Sequence, residues 1–437
     1  MQQKRILIRD LSAHFDQTIM IQWYMHDFRK LGKIAFLIMR DRSWLCQIIV
    51  DTPDMINLFD GLYPGSVLEV VWVPILAPGN KQFGMEIQHP IIRIITPCHH
   101  VHGIDISKPD LNLDIESMID NRVVTLRHPK QQAIFKISSI VEKHMRAYFD
   151  IHDFTQINSP KLIWFPTEWG AEVFELDYFE KKAYLAQSPQ FYKQMMVPVF
   201  ERVYEIGKAY RAEKSNSSRH LTEILMLDVE MWFISFDELL LFITDFLNTV
   251  IWQVRKEWED ILNLLWSIKP LLPESYPRIT VKDLHELYFK ETWQDCRADW
   301  DLNSAEEKRI CEYSAQYRWS DAVIVTAFPW SEAKFYHIQD PLDPESTLRA
   351  DLLFRGVEIA TVPMRQTNYD ILVQQIKDKW FDPTNPWLID YLDSFKYGMP
   401  PEWWFGFGIS RLVQKIIWLS NIKEAELFPR DRNRLTP

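Results

Sequence analysis

Five short apolar runs crowd into the first 104 residues, and they restrict the amino-terminal part of the chain to a small β-structure. IMIQWYMHDF, AFLIMRD, LCQIIVD, VLEVVWVPI and MEIQHPIIRIIT have strand-like lengths, and turn signals such as Leu31-Gly32-Lys33 and Pro78-Gly79-Asn80 part them. Five strands in about 100 residues suit a small barrel, with the OB-fold type as one candidate. Such barrels often bind single-stranded nucleic acid on a sheet face, where aromatic side chains stack on bases.

The pattern then changes. The stretch DISKPDLNLDIESMIDNRVVTLRHPK reads as a hinge over residues 105–128. Ile134, Ile137, Ile140, Val141 and Met145 recur at helical spacing, which predicts a helix over 129–149. FTQINSPKLI reads as a strand, 235–265 as one or two long helices, and AVIVTAFPW, KFYHIQD and ADLLFRGVEIATV as further strands. A last helix, SRLVQKIIWLS, follows Gly406-Phe407-Gly408. The expected organisation is a barrel domain (1–104), a hinge (105–128) and an α+β domain (129–437), with no internal repeat.

Composition narrows the function classes. The 437 residues carry 49 Lys and Arg against 60 Asp and Glu, a net charge of −11, so nucleic-acid binding would need a local basic face. Lys4, Arg5, Arg9, Arg29, Lys30, Lys33, Arg40 and Arg42 supply one. Four widely spaced cysteines without a CxxC pair suit reduced thiols in a cytoplasm. Cys98-His99-His100 with His102 lacks a second ligand cluster and reads as a loop. The start, MQQKRILIRDLSAHF, has no apolar signal segment, and runs such as Leu239–Leu247 fall far short of the roughly 20 residues that span a bilayer. Glycine is scarce at 12, where average usage gives about 30. Tryptophan is abundant at 18.

The segment 184–231 carries the most chemistry. A strand ends in Arg211-Ala212-Glu213, a polar turn follows, and Arg219-His220-Leu221 opens the next strand toward Asp228 and Glu230. Guanidinium and imidazole donors near one point suit a polyphosphate. Taken alone, the same residues also make an ordinary charged hairpin.

Several blocks in order resemble class II aminoacyl-tRNA synthetases, specifically the archaeal and eukaryotic type of aspartyl-tRNA synthetase. FTQINSPKLI, with Pro160, resembles motif 1. VYEIGKAYRAEKSNSSRHLTE, with Arg211, resembles motif 2, and FGFGISRLVQKI, with Arg411, resembles motif 3. AQSPQFYKQMM, MLDVEMWFI, RGVEIA and LFPRDRNRLTP match the subgroup's own sequence, so the resemblance spans essentially the whole chain.

The resemblance implies an N-terminal OB-fold barrel that reads an anticodon, a six-stranded antiparallel catalytic sheet flanked by helices, and a homodimer. It also implies a cytoplasmic ligase that uses ATP and Mg²⁺ to activate L-aspartate or a related amino acid for tRNA(Asp), with tRNA(Asn) as a second acceptor. Catalysis falls to Arg211, at the ATP α-phosphate and the reacting carboxylate, and to Arg411, at adenine and the γ-phosphate. Glu213, His220, Leu221, Glu358 and Gly408 complete the ATP site. Asp351, Glu358 and Thr361 fall at the metal. Glu168, Gln190, Lys193, Asp228, Thr361 and Arg365 fall at the amino acid, with Lys193 and Arg365 gripping its side-chain carboxylate. Phe36, Gln47 and Glu86 fall at the anticodon.

Some positions depart from the family. Glu168 is followed by Trp169 where the family has glycine. Ala360-Thr361-Val362-Pro363-Met364-Arg365 replaces Ser-Ser-Gly-Gly-Gln-Arg. Pro400-Pro401-Glu402-Trp403-Trp404-Phe405-Gly406 replaces Pro-Pro-His-Gly-Gly-Phe-Gly, and Ser410 stands for glutamate beside Arg411. The glycine deficit and tryptophan excess therefore meet partly at the amino-acid pocket. Bulk there admits two alternatives to an aspartate enzyme: a paralogue activating a different acidic or modified amino acid, and a non-catalytic tRNA-binding or regulatory protein.

Overall fold

The computed structural model describes residues 4–15, 17–76, 85–87, 90–100, 103–166, 172–214 and 217–437, with backbone alone for Pro74–Leu76 and Met85–Ile87. The chain forms two compact units, one of residues 1–114 with 123–128, the other of 115–122 with 129–437. The stretch between the barrel and the larger unit is not bare linker: it forms the short helices Ile115–Asp120 and Arg122–Thr125.

The first unit holds strands β1 (Ile19–Leu31), β2 (Ile34–Arg40), β3 (Leu45–Val50), β4 (Val67–Trp72), β5 (Pro74–Leu76), β6 (Met85–Ile87) and β7 (Ile91–Thr96), ordered β5-β6-β3-β2-β1-β4-β7. Seven strands stand among the described residues where five runs were expected. VLEVVWVPI breaks at Val73, beside a proline that cannot donate to a ladder, and the last run supplies both Met85–Ile87 and Ile91–Thr96. β1 pairs with β4 along Ile19–Tyr24 and with β2 along Tyr24–Leu31, and a bulge between Met25 and Asp27 marks the change of partner. Alternation places Ile21, Ala35, Leu37, Met39, Ile48, Val50, Leu68 and Val70 in the core.

The second unit holds β8 (Thr155–Gln156), β9 (Leu162–Ile163), β10 (Glu175–Tyr178), β11 (Lys181–Leu185), β12 (Arg202–Tyr210), β13 (Glu223–Trp232), β14 (Arg278–Thr280), β15 (Ala322–Thr326), β16 (Arg349–Phe354), β17 (Val357–Pro363) and β18 (Glu402–Gly408). Its main sheet runs β14-β15-β16-β17-β18-β13-β12-β8, and β10-β11-β9 form a small separate sheet. The six central strands are antiparallel, as expected. The short edge strands β8 and β14 add in parallel, which makes eight. FTQINSPKLI contributes only two residues to each of β8 and β9, because Pro160 interrupts it. The run KFYHIQD makes isolated bridges at His337 and Gln339 rather than a strand.

Two helices cover one face of this sheet. Pro129–Ile151 follows the predicted 3.6-residue spacing, and Phe236–Leu264 opens on a Ser235/Glu238 capping box and kinks at Trp258. Leu227, Val229, Met231, Trp403, Phe405 and Phe407 pack into this core with Phe246 and Val250. Period-2 alternation sends Asp228, Glu230, Glu402 and Trp404 to the opposite face, with Glu230 directly across from Trp404. That face carries the site.

Five helices end in an unusual way. Trp266, Trp293, Trp319, Trp380 and Trp418 follow the ends of Phe236–Leu264, Val281–Thr292, Ser304–Arg318, Tyr369–Asp378 and Ile409–Ile416, all in the left-handed region with φ between 54° and 66°. Glycine usually fills this position, and another L-residue costs roughly 1–2 kcal/mol there.

Candidate active site

The β16–β17 hairpin builds the first half of the site. Register sets Asp351 opposite Thr361, and the Thr361 hydroxyl donates to Glu358 Oε1 at 2.7 Å. From the helix Ile409–Ile416, Arg411 Nη1 donates to the Glu358 carbonyl at 2.8 Å and to Glu358 Oε2 at 3.2 Å. A Cβ on Gly408 would lie 3.3 Å from Arg411 Cδ, so the glycine gives that side chain its room. Arg349 Nη2 donates to Asp351 Oδ2 at 2.7 Å.

The electrostatics show how closely these groups face one another. Burial, with the charges of Glu358 and Asp301, pushes the Asp351 carboxyl up to about 7 against the pull of Arg349. Burial works against the Glu358 carboxylate too, but Arg411, the Thr361 hydroxyl, Arg349 and Arg211 outweigh it and hold its pKa below the usual value. Burial lowers the His220 imidazole, and Arg411, Arg219 and Arg211 lower it further against Glu213. His220 Nε2 and Arg211 Nη1 each lie 3.8 Å from a Glu213 oxygen, and Ser217 bonds His220 Nδ1 at 2.7 Å. Leu221 is buried beside them.

Arg211, Glu213 and His220 thus come together in one cluster. Arg219 turns away from the cluster: it donates to Ser304 Oγ at 2.8 Å, Glu307 Oε2 at 3.0 Å and the Gly356 carbonyl at 2.5 Å. The strand also begins at Glu223 rather than at Arg219.

A metal would meet hard oxygen donors: two carboxylates, Asp351 and Glu358, and one hydroxyl, Thr361. Among the described residues no group of three or more His, Cys, Asp or Glu side chains could hold a metal ion. Two carboxylates, with the Glu358 charge raising the proton affinity of Asp351, would suit Mg²⁺, whose remaining positions water and phosphate oxygens would fill.

The second half of the site is a buried polar network on the same face of β13 and β18. Lys193 Nζ bonds Asp228 Oδ1 at 2.7 Å and lies 3.6 Å from Glu230 Oε2. Arg365 Nε bonds Glu230 Oε1 at 3.1 Å, and its Nη2 bonds Gln190 Oε1 at 2.6 Å. Gln190 Nε2 donates to Gln194 Oε1 at 2.7 Å, Tyr391 donates to the same oxygen at 3.0 Å, and Gln194 Nε2 donates to Glu402 Oε1 at 2.5 Å. The Trp404 ring lies against both cations, 3.9 Å from Lys193 Nζ and 4.4 Å from Arg365 Cζ. Lys193 and Arg365 are each 1% exposed, so neither is a solvated surface cation. Among the described residues, Arg365 Nη1, Glu230 Oε2, Glu402 Oε2 and the indole nitrogens of Trp403 and Trp404 are buried without a hydrogen-bond partner.

Glu168 lies outside the described residues, as does Trp169. Glu230, Gln194, Tyr391 and Glu402 are members that the sequence reading missed. Their signal was present: Glu230 and Glu402 fall on the same alternating faces as Asp228 and Trp404, and Gln194 lies one helical turn after Gln190.

In the first unit, Phe36 and Gln47 lie on adjacent strands, where Ile38 pairs with Gln47 and Phe36 with Ile49. Both point to the face opposite the core and are half-buried, so Phe36 is not a core residue. The Glu86 backbone lies in β6, which joins β3 through Ile48 and Ile87, and its side chain lies outside the described residues.

Residues 114–432 match the family described as tRNA synthetases class II (D, K and N). Over 99% of its length the chain is 38% identical to the aspartate–tRNA(Asp/Asn) ligase of Thermus thermophilus, covering 100% of that relative. The solved aspartyl-tRNA synthetase of Entamoeba histolytica superposes with a TM-score of 0.88 at 25% identity, covering 100% of this chain and 93% of that one. The asparaginyl-tRNA synthetase of the same organism, solved with asparaginyl-adenylate, gives 0.87 at 25% identity with both chains fully covered at 100%.

Proposed function

The chain belongs to the class II tRNA synthetases, and we propose that within this family it is an aspartate–tRNA ligase acting on tRNA(Asp), with tRNA(Asn) as a second acceptor. The observation that carries the amino-acid assignment is Arg365. It is buried beside Lys193, and one guanidinium nitrogen, Nη1, has no hydrogen-bond partner among the described residues. A side-chain carboxylate satisfies that donor, whereas an amide would place its NH₂ against cations in a low-dielectric site.

In the first step the α-carboxylate of aspartate attacks the α-phosphorus of ATP, forming aspartyl-adenylate as pyrophosphate leaves. Arg211 holds the α-phosphate and the attacking carboxylate in line, and Arg411 takes the adenine ring and the distal phosphate. Glu213 accepts from the adenine amino group, and His220, its imidazole kept neutral, donates a hydrogen bond near the distal phosphates. Leu221 and Gly408 shape the nucleotide's bed. Asp351, Glu358 and Thr361 would hold Mg²⁺, which would supply charge neutralisation at the phosphates. Asp228 and Gln190, with Glu168 as the resemblance implies, would surround the substrate ammonium or buttress the pocket. In the second step the tRNA 3′-terminal hydroxyl attacks the aspartyl carbonyl and AMP leaves. Phe36, Gln47 and Glu86 on the barrel face the anticodon, where stacking on one aromatic is worth roughly 1–3 kcal/mol per base.

The working molecule is a cytoplasmic homodimer on this reading. No helix among the described residues is long and apolar enough to cross a membrane. The test is ATP–pyrophosphate exchange with each of the twenty amino acids, then charging of tRNA(Asp) and tRNA(Asn). Exchange with aspartate, abolished by Arg365→Ala, is the expected result. Exchange with another amino acid would assign the chain to a paralogue, a reading favoured by the Trp404 ring against both Lys193 and Arg365. No exchange while ATP still binds would make it a regulatory tRNA-binding protein.

A further inference from the structure

The tryptophans at the helix ends sit in a backbone conformation that disfavours any side chain, and the two tryptophans of β18, Trp403 in the sheet's core and Trp404 on the site face, leave a buried indole N–H unpaired among the described residues. Twelve non-glycine residues among those described have positive φ, and five are tryptophan. Tryptophan is 18 of 437 residues, so chance placement would put fewer than one among the twelve. The five lie at the position after a helix where glycine is the common residue, because only glycine enters that conformation without a Cβ penalty. They are also strongly exposed, from 50% at Trp418 to 95% at Trp380. Trp403 and Trp404 are the opposite case. They are buried, and neither indole N–H has an acceptor among the described residues, although a buried tryptophan normally finds one. A Cβ on Gly406, two residues further along the strand, would come within 2.8 Å of the Trp404 ring.

A residue retained for its side chain sorts by environment. This one does not; it appears fully exposed, fully buried, in left-handed turns and in a strand, while glycine runs short by a comparable amount. One residue type exchanged for one other throughout a chain, without regard to surroundings, is the mark of a codon with two readings rather than of adaptation.

We propose that Trp266, Trp293, Trp319, Trp380, Trp418, Trp403 and Trp404 occupy glycine positions, and that the cell producing the working protein inserts glycine there through a codon read elsewhere as tryptophan. Removal of the Trp404 indole uncovers Lys193 and Arg365 to the substrate carboxylate. The pocket part rests on the synthetase reading given above; the helix-end part does not.

The experiment is peptide mass spectrometry of the protein purified from its own cells. Peptides spanning the seven positions are expected to carry glycine masses, and tryptophan masses there would overturn the proposal. Full-length recombinant chains, one with the seven tryptophans and one with all seven changed Trp→Gly, supply a second readout. A chain with only the five helix-end tryptophans changed Trp→Gly is expected to melt higher than the tryptophan chain, because each change removes a left-handed Cβ penalty at an exposed position, and the full glycine chain is expected to show aspartate-dependent exchange at least ten-fold above the tryptophan chain. A lower melting temperature for the five-fold variant would overturn the assignment. Glycine masses together with a glycine chain inactive toward aspartate would uphold the residue assignment and sink the aspartate reading, so the two fail separately.

Discussion

The Thr361 hydroxyl lies 2.7 Å from Glu358 Oε1 and directly across the ladder from Asp351, so one short side chain touches one acidic residue and faces the other. Thr361→Val keeps the shape and removes the hydroxyl. ATP–pyrophosphate exchange should fall about 10–100-fold, as for other groups that orient a metal ligand, and the Mg²⁺ concentration for half-maximal rate should rise. Thr361→Ser should restore most of both. A valine variant with unchanged Mg²⁺ dependence would remove Thr361 from the cation site.

The two arginines of motif 2 should separate cleanly. Arg211 is part-exposed and approaches Glu213 no closer than 3.8 Å, and the proposed function gives it the α-phosphate, so Arg211→Ala should lower the exchange rate on the order of 10²–10³-fold with little effect on melting. Arg219 ties the turn to Glu307 and to the Gly356 carbonyl. Its loss leaves the Glu307 carboxylate, whose pKa burial already raises, without its cation. Arg219→Ala should therefore lower the melting temperature first, and comparable melting curves for the two variants would contradict this division.

His26, in the first unit, gives a pH signature. Burial, then Arg40, lowers its imidazole from 6.5 to about 4. Below pH 6.5 the unfolded chain takes up a proton that the folded chain refuses until about pH 4, so folding stability falls as pH falls through that window. At pH 5 the loss is about 2 kcal/mol from this group. His26→Gln should lose less stability than the parent between pH 7 and 5 in denaturant titrations of the first unit's transition. Parallel pH profiles would show that His26 is not the group responsible.

Glu402 should behave in the opposite sense. Burial, then the facing Glu230 charge, raises its carboxyl well above the usual value, and Gln194 is its hydrogen-bond donor. The folded chain keeps a proton that the unfolded chain loses above the usual carboxyl range, so this group costs stability as pH rises. Glu402→Gln mimics the protonated acid and still accepts from Gln194. It should be more resistant to denaturant than the parent at pH 8, with the gap closing toward pH 4.5; a variant less stable at every pH would mean that Glu402 is held as a charged group.

Much of this architecture was legible in the sequence because its signals are local. The 3.6-residue spacing from Ile134 to Met145, and the polar turn that parts the strands Arg202–Tyr210 and Glu223–Trp232, needed no distant partner. The short edge strands were not legible, since two or three residues of β8 or β14 carry no period and become strands only by pairing with β12 and β15. The direction taken by Arg219 was also hidden. Its partners Ser304 and Glu307 lie over eighty residues away, and charge pattern alone cannot choose between a ligand and an internal acid. Glu402 and Gln194 escaped because a buried polar network is defined by closure among strands and helices far apart in sequence.

β1 has a further consequence for the first unit. Because Tyr24 belongs to both of its ladders, neither β2 nor β4 can peel away without disturbing the strand that anchors the other. Amide hydrogens on either side of Tyr24 should therefore be the last in this unit to exchange with deuterium, with rates that report its global opening rather than local fraying.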